Sequence, residues 1–401
     1  MIVQKYGGSS LDSPSRIRVI ARKIASRARE RHRIIVIVSA MGTTTDNLLS
    51  LAHEISPRPP RRELDMLLTV GERISMALLS MALNDCGVPA ISFTGSQSGI
   101  VTNMNHTGAI IEEIRADRIL EALDAGKVTI VAGFQGVSRD REITTLGRGG
   151  SDTTAVALAS LLQAERCEIF SDYPGLFSAD PRTVPGAAQV PRINHDEMLE
   201  LATLGAKMLH YRAADIARKS AVPLYLLSSF EDSPGTVVGD PPEMELPSIK
   251  SITSLPDVCA LTATYQLQER EVDPVPEALE ESGVQLVYFQ KTANGEATRL
   301  YCIVEERDID ALERAVRQSG GHQLATEREL NLSTVSVVGS GVSHKATVLS
   351  QVEAALARAG IQRLLIWCSP LSVSCLVPRD DSHRAVAVLH ESFFPASKPL
   401  R

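Results

Sequence analysis

"IVQKYGGSSLDSPSRIRVIARKIASRARERHRIIVIVSA", residues 2–40, sets the fold class of everything that follows it. Ile2 to Tyr6 read as a strand, and Gly7-Gly8-Ser9-Ser10 turns the chain. A helix then starts with Ser13 at the N-cap and Pro14 at the first helical position, and Ile17, Ile20 and Ile24 mark its buried face. "RIIVIVSA" (33–40) is continuously apolar and β-branched, the pattern of a strand covered on both faces of a parallel sheet. Strand, helix and strand in that order form a βαβ unit.

The alternation continues to about residue 230. "ELDMLLTVGERISMALLSMALNDCG" (63–87) reads as one long helix closed by Gly87, and "VTIVAGF" (128–134) and "CEIFSD" (167–172) read as further buried strands. The pattern predicts an α/β fold with a mainly parallel sheet and helices on both faces. It stops at "EDSPGTVVGDPPEMELPS" (231–248), where prolines, glycines and acids collect. Beyond that point the chain repeats itself. "ESGVQLVYF" (281–289) ends a helix and starts a strand, and "RAGIQRLLI" (358–366) does the same. Helical patterns at 274–282, 308–320, 345–360 and 382–394 complete two ferredoxin-like (βαββαβ) units. The expected division is a catalytic domain over 1–240, a linker and entering strand over 241–256, and two small domains over 257–330 and 331–401.

Composition narrows the function. The 401 residues carry a net charge of −7 and only 4% aromatics, which argues against a nucleic-acid partner, whose phosphates need a basic surface. The six cysteines are scattered with no CxxC, so no structural metal site is expected. The first residues do not resemble a signal peptide, and no apolar run approaches the length of a membrane span, so a cytoplasmic chain without a membrane partner is expected.

Four strand-end segments carry the chemistry. In "KYGGSS" (5–10), glycines let backbone amides approach phosphate oxygens, the following helix adds its dipole, and Lys5 supplies a compact charge. No GxxxxGK[ST] sequence is present, so this is not a P-loop. "VSAMGTTTDNLL" (38–49) brings Ser39, Thr44, Thr45 and Asp46 to a strand C-terminus; these either meet a ligand or cap the next helix. Glu72 lies in the long helix beside Gly71, where it either meets a ligand ammonium, pairs with Arg73 or faces solvent. In "TTLGRGGSDTTAVALA" (144–159), Arg148 can hold a carboxylate bidentately and Asp152 an ammonium, together a receptor for a free amino acid; the alternative is a salt-bridged loop with Asp152 as helix cap. "SDYPGLFSADPR" (171–182) supplies Asp172, Asp180 and Arg182 to a turn-rich loop.

These segments, with SFTGSQSG (92–99), VAGFQGV (131–137) and EMLELATLGAKMLH (197–210), closely resemble aspartate kinases of the amino acid kinase family in the family's own order, and the remainder resembles tandem ACT regulatory domains. The resemblance implies ATP-dependent phosphorylation of the β-carboxylate of L-aspartate, with ATP and Mg²⁺ as cofactors, in amino-acid biosynthesis leading towards lysine and threonine. It places Lys5, Gly7 and Gly8 on the ATP phosphates. It places Ser39, Thr45, Glu72, Arg148, Gly150, Ser151 and Asp152 on the aspartate side, with Lys5, Arg148 and Asp152 as the catalytic set. Ser171, Asp172, Phe177, Asp180, Arg182 and Lys207 line the nucleotide side. It also implies a homodimer or homotetramer joined through the ACT domains.

The chain departs from the family pattern in two places. Asp172-Tyr173-Pro174-Gly175-Leu176-Phe177 replaces Asp-Val-Asp-Gly-Val-Tyr and so lacks one acid and one phenol near the nucleotide. In the ACT repeats, where effectors meet a Pro-Gly-type turn at a helix N-terminus, the chain has "EREVDPVPEAL" (269–279) and Ser343-His344-Lys345-Ala346. Gln290-Lys291 and Trp367-Cys368-Ser369-Pro370 also stand in place of Gln-Asn and Ser-Thr-Ser-Glu. Weak or absent inhibition by lysine and threonine is therefore expected. Two other functions are weighed. A kinase for glutamate, acetylglutamate, carbamate or a nucleotide is disfavoured by Arg148 with Asp152. A catalytically impaired, amino-acid-sensing homologue is disfavoured by the intact Lys5 and Arg148.

Overall fold

Ile2–Tyr6 pairs in parallel with Ile34–Val38, Lys5 standing opposite Ile37, and with Arg166–Ser171, Lys5 standing opposite Ile169. The computed structural model describes residues 1–30, 32–239, 248–266, 273–294, 297–319, 322–342 and 346–395. The first strand is central in an eight-stranded sheet. Its order is Arg192–Ile193, Thr236–Val238, Leu224–Ser228, Arg166–Ser171, Ile2–Tyr6, Ile34–Val38, Val128–Ala132, Ala90–Phe93. Every neighbouring pair is parallel except Leu224–Ser228 with Thr236–Val238. This is the α/β fold expected from the sequence, and it aligns the strand C-termini, and hence the quoted loops, along one edge of the sheet.

The helices form where the caps and periodicity put them. The first, α1 (Pro14–Arg29), has Ser13 Oγ accepting from the Arg16 amide at 3.4 Å. Its buried Ile17, Ile20 and Ile24 share a core with Leu79 and Leu83 and with the strand residues Ile34, Val36 and Ile130. After the second strand, α2 (Thr44–Ile55) has no buried residue.

The single helix expected over 63–87 is two, α3 (Arg61–Leu68) and α4 (Val70–Asp85). Thr69 separates them, and its carbonyl accepts from Gln135 Nε2 at 3.1 Å. Read as one stretch, Arg61–Asp85 is long and apolar enough by composition to cross a membrane, which corrects the expectation that no run reaches that length. It is weak evidence of a span, since Leu68, Met76, Leu79 and Leu83 are buried within the protein.

A second sheet was not legible in the sequence. Its four short strands run in the order Ile111–Ile114, Ile100–Thr102, Gln135–Ser138, Ile143–Thr145.

The C-terminal region folds on six strands in the order Leu286–Asn294, Ala297–Glu305, Ser248–Gln266, His322–Ser340, Ser372–Pro378, Leu365–Ser369. Helices Val275–Ser282 and Ile309–Ser319 cover one half, Ala346–Arg358 and Ser382–Phe393 the other. Both repeats share two 19-residue strands, Ser248–Gln266 and His322–Ser340, paired antiparallel. The expected boundaries at 256/257 and 330/331 therefore fall inside continuous strands. Asp257 (φ 58°) and Asn331 (φ 59°) interrupt them with left-handed residues. The first part of the expected 241–256 linker, 241–247, lies outside the described residues, and from Ser248 the chain is strand.

Two compact units result: Met1–Leu176 with Gln189–Ala202 and Lys207–Glu243, and Phe177–Ala188 with Thr203–Ala206 and Met244–Arg401. The second unit therefore includes an excursion from the N-terminal region. The Ser178 carbonyl accepts from the Ile252 amide at 2.8 Å, and Ser178 Oγ meets His390 Nε2 at 2.8 Å.

Candidate active site

Lys5 leaves the central strand pointing towards the first turn of the helix Gly150–Leu161, where its Nζ pairs with Asp152 Oδ1 at 2.7 Å. Only 13% of each side chain is exposed, so the pair is held in a largely desolvated pocket. The glycine turn crosses directly beside it. A Cβ on Gly8 would stand 2.8 Å from the Ala40 carbonyl, so only glycine lets this turn lie against the loop after the second strand. The Gly42 amide donates to the Gly8 carbonyl at 3.0 Å and fixes the two loops together.

Glu72 is 3% exposed and enters the same cavity from α4. The Ala40 amide donates to its Oε1 at 3.1 Å, while Oε2 has no partner. Burial pushes its carboxyl up to about 7, against the lowering effect of its backbone hydrogen bonds. Neither of the two bland readings of Glu72 holds: it does not pair with Arg73, and it does not face solvent.

Arg148 sits between Gly147 (φ 75°) and Gly149 (φ 67°), exposed and without a partner among the described residues. Gly149 is required twice over. Its φ is left-handed, and a Cβ there would fall 2.0 Å from the His210 ring. The loop is held from several sides. The Leu146 amide donates to the Phe134 carbonyl at 2.8 Å, and Arg212 donates from Nη1 to the Leu146 carbonyl and from Nη2 to Ala109 O, the latter at 2.9 Å. Asp65, fully buried on α3, accepts from Thr145 Oγ1 at 2.5 Å and from the Thr107 amide at 3.1 Å, and meets His106 Nδ1 at 2.7 Å.

One cavity of about 770 Å³ unites Lys5, Gly8, Ser39, Thr45, Glu72, Arg148, Gly150, Ser151 and Asp152. Gly7 adjoins it, a Cβ there lying 3.4 Å from Lys5 Nζ. The remaining expected residues lie elsewhere. Ser171 ends the neighbouring strand, and Asp172 Oδ1 accepts from Ser9 Oγ at 3.4 Å, beside the glycine turn. Phe177, Asp180 and Arg182 belong to the second unit, where Arg182 Nη2 pairs with Asp180 at 2.6 Å, and exposed Lys207 belongs to the first.

In one respect the receptor differs from the expectation. Asp152 Oδ1 makes no hydrogen bond but is ion-paired with Lys5, whereas Glu72 Oε2 is a buried carboxylate oxygen of the cavity with neither kind of partner among the described residues. Sequence reasoning also missed Asp65, Phe134, Thr107 and Thr145. An acid among the apolar positions of α3 was the available sign for Asp65; the others reach the site only through tertiary folding.

Comparison with known proteins gives the family. The amino acid kinase family matches residues 1–228, and an ACT domain matches residues 335–393. An aspartokinase of Mycolicibacterium smegmatis is 40% identical over 411 aligned residues, covering 98% of this chain and 96% of its own. Aspartokinase 2 of Bacillus subtilis is 39% identical, covering 100% and 99%. The structure of E. coli aspartokinase III in complex with aspartate and ADP superposes with a TM-score of 0.85 at 24% identity, over 98% of this chain and 100% of that one, a likeness of fold. Aspartate kinase from Synechocystis superposes at 0.55 with 36% identity, over 100% and 71%.

Proposed function

Because this chain belongs to the amino acid kinase family and, within it, to the aspartokinases, we infer that it transfers the γ-phosphoryl group of Mg-ATP to the β-carboxylate of L-aspartate, giving 4-phospho-L-aspartate and ADP. The observation that carries the reading is one cavity holding a largely shielded lysine and, with no partner among the described residues, an arginine and one oxygen of a buried carboxylate. A β-carboxylate is already ionised at neutral pH, so its oxygen attacks the γ-phosphorus as the bond to the ADP oxygen breaks, and no base is needed. The work left to the protein is to align two anions and neutralise their repulsion.

In this reading Lys5 meets the transferring phosphoryl group and Gly7 and Gly8 expose amides to the phosphates. Arg148 takes the α-carboxylate and Glu72 the ammonium of aspartate, with Ser39, Thr45, Gly150 and Ser151 donating around it. Asp152 orients Lys5. Ser171, Asp172, Phe177, Asp180, Arg182 and Lys207 serve the nucleotide, and Mg²⁺ arrives with ATP. Residues 1–240 form the catalytic part, and 257–330 and 331–401 the two ACT units, in a cytoplasmic protein. A coupled ADP-release assay with Mg-ATP decides the matter: turnover with L-aspartate and none with L-glutamate is expected, and the reverse rejects the assignment.

The Glu72 assignment implies a pH dependence. A neutral Glu72 cannot pair with an ammonium, so KM for aspartate rises as pH falls through about 7 and is flat above it. In the ligand-free protein the sign is opposite. A raised folded pKa gives stability that is present below the ordinary glutamate range and lost as pH rises through about 7. Glu72→Gln is expected to remove the KM inflection; an unchanged profile in that variant assigns the ammonium elsewhere.

Weak regulation has structural support in the first ACT unit. Asp273, one residue before the N-cap Pro274 of the helix Val275–Ser282, accepts from the Val275 amide at 3.0 Å. Its other oxygen is held by Lys291 Nζ at 2.5 Å and Tyr265 OH at 2.6 Å. An effector carboxylate arriving at this helix end meets a carboxylate already in place, and Pro276 offers no amide. In the second unit residues 343–345 lie outside the described residues. Titration with lysine and threonine, singly and together, is expected to leave activity within about twofold at millimolar effector, below the coupling typical of allosteric pairs; strong concerted inhibition rejects this.

The six-stranded sheet ends in two edge strands, Leu286–Asn294 and Leu365–Ser369, with the large apolar residues Phe289 and Leu364 exposed at or beside them. Such edges pair with a second copy, so sedimentation is expected to show a dimer or tetramer joined through the ACT units; a lone 43.3 kDa species at micromolar concentration contradicts it.

A further inference from the structure

Two walls enclose the 770 Å³ cavity, and their charges differ. On the sheet side Lys5 and Arg148 are balanced by Glu72 and Asp152. The other wall is the hairpin of α2 and α3, which contributes Asp46, His53, Arg58 and Arg61. Without Arg58 and Arg61 the cavity keeps Lys5 and Arg148 as full cations against Asp46, Asp152 and a partly ionised Glu72, in a chain of net charge −7. Aspartate carries a net negative charge at neutral pH, and such a site repels it.

The placement of the two arginines is not explained by folding. Arg61 is the first residue of α3, where the helix dipole disfavours a cation. Its neighbour Arg62 has the same handicap but is neutralised, by Glu63 at 2.8 Å and Glu142 at 2.9 Å. Arg61 and Arg58 are exposed, and neither has a carboxylate partner among the described residues; both line the cavity instead. Arg58 stands between Pro57 and Pro59, and Pro60 precedes Arg61, so the turn that carries both is stiff. A stiff turn presents its charges with little ordering left for the ligand to impose.

We propose that Arg58 and Arg61 are substrate-positioning residues, a cationic wall that draws the amino-acid dicarboxylate into the cavity and disfavours amino acids with fewer negative charges. The inference rests on the aspartate-kinase reading above and names residues which that reading does not use. Charge attraction at a cavity mouth acts on capture, so its signature is KM and salt dependence, not kcat.

The test is steady-state kinetics of full-length wild type, Arg58→Gln/Arg61→Gln and Arg58→Lys/Arg61→Lys over a range of sodium chloride, with thermal melts to confirm folding. In the glutamine pair, KM for aspartate is expected to rise about fivefold or more, kcat to change less than about twofold, and the salt dependence of kcat/KM to flatten. The lysine pair restores the salt dependence, because charge rather than the planar fork is at issue. An aspartate KM within twofold of wild type overturns the proposal. So does a rise confined to the KM for ATP, which assigns the wall to phosphates. A wild type inactive on aspartate rejects the functional reading itself, whereas an active wild type with an unmoved glutamine pair rejects only this inference.

Discussion

Lys5→Ala is expected to lower kcat by about 10²-fold or more at saturating aspartate and Mg-ATP, with the fold retained by circular dichroism. Lys5 Nζ is the cation placed on the central strand beside the glycine turn, 2.7 Å from Asp152 and largely shielded from water. Negative charge spreads over the transferring phosphoryl oxygens as the reaction proceeds, so a cation fixed there interacts more strongly with the transition state than with bound ATP. The low exposure of the pair raises that interaction above its value in water. Lys5→Arg is expected to recover little. Nζ lies close to the glycine turn, where a Cβ on Gly7 would stand 3.4 Å from it, and a guanidinium is larger and planar. Near-wild-type kcat in Lys5→Ala places the stabilising cation elsewhere and removes the central role given to this strand end.

The parts of this site that the sequence revealed are those fixed by local rules. Ser13-Pro14 announces α1, the run Ile34–Val38 announces a doubly covered strand, and glycines flank the strand ends that line the cavity. What it concealed depends on contacts between distant segments. The break at Thr69 coincides with a contact from far along the chain, Gln135 donating to the Thr69 carbonyl. Asp65 reads as a polar interruption in an apolar helix, and only the fold shows it gathering Thr107 and Thr145 under the Arg148 loop. The pairing of Lys5 with Asp152 joins residues that were each assigned to a different ligand. The two shared 19-residue strands hid the ACT boundaries, because each half of a strand serves a different repeat and its hydrophobic pattern runs through the join.

Arg148→Ala is expected to raise KM for aspartate by about 10²-fold, with a smaller fall in kcat. The residue is an exposed cation without a partner among the described residues, on a loop whose backbone is clamped by Phe134, Arg212 and, through Thr145, Asp65. A clamped backbone with a free guanidinium is preorganised for a ligand, and two parallel hydrogen bonds to a carboxylate, each charge-assisted, are worth a few kcal/mol together. In the proposed pose Arg148, unlike Lys5, meets a carboxylate that does not react, so its contribution is nearly equal in ground and transition states and appears in KM. Arg148→Lys keeps the charge and loses the fork, and an intermediate KM is expected. The split between the two sites is the decisive feature. If Arg148→Ala lowered kcat as far as Lys5→Ala while KM for aspartate stayed put, the guanidinium would belong to the phosphoryl group, and the α-carboxylate would need another partner in the cavity.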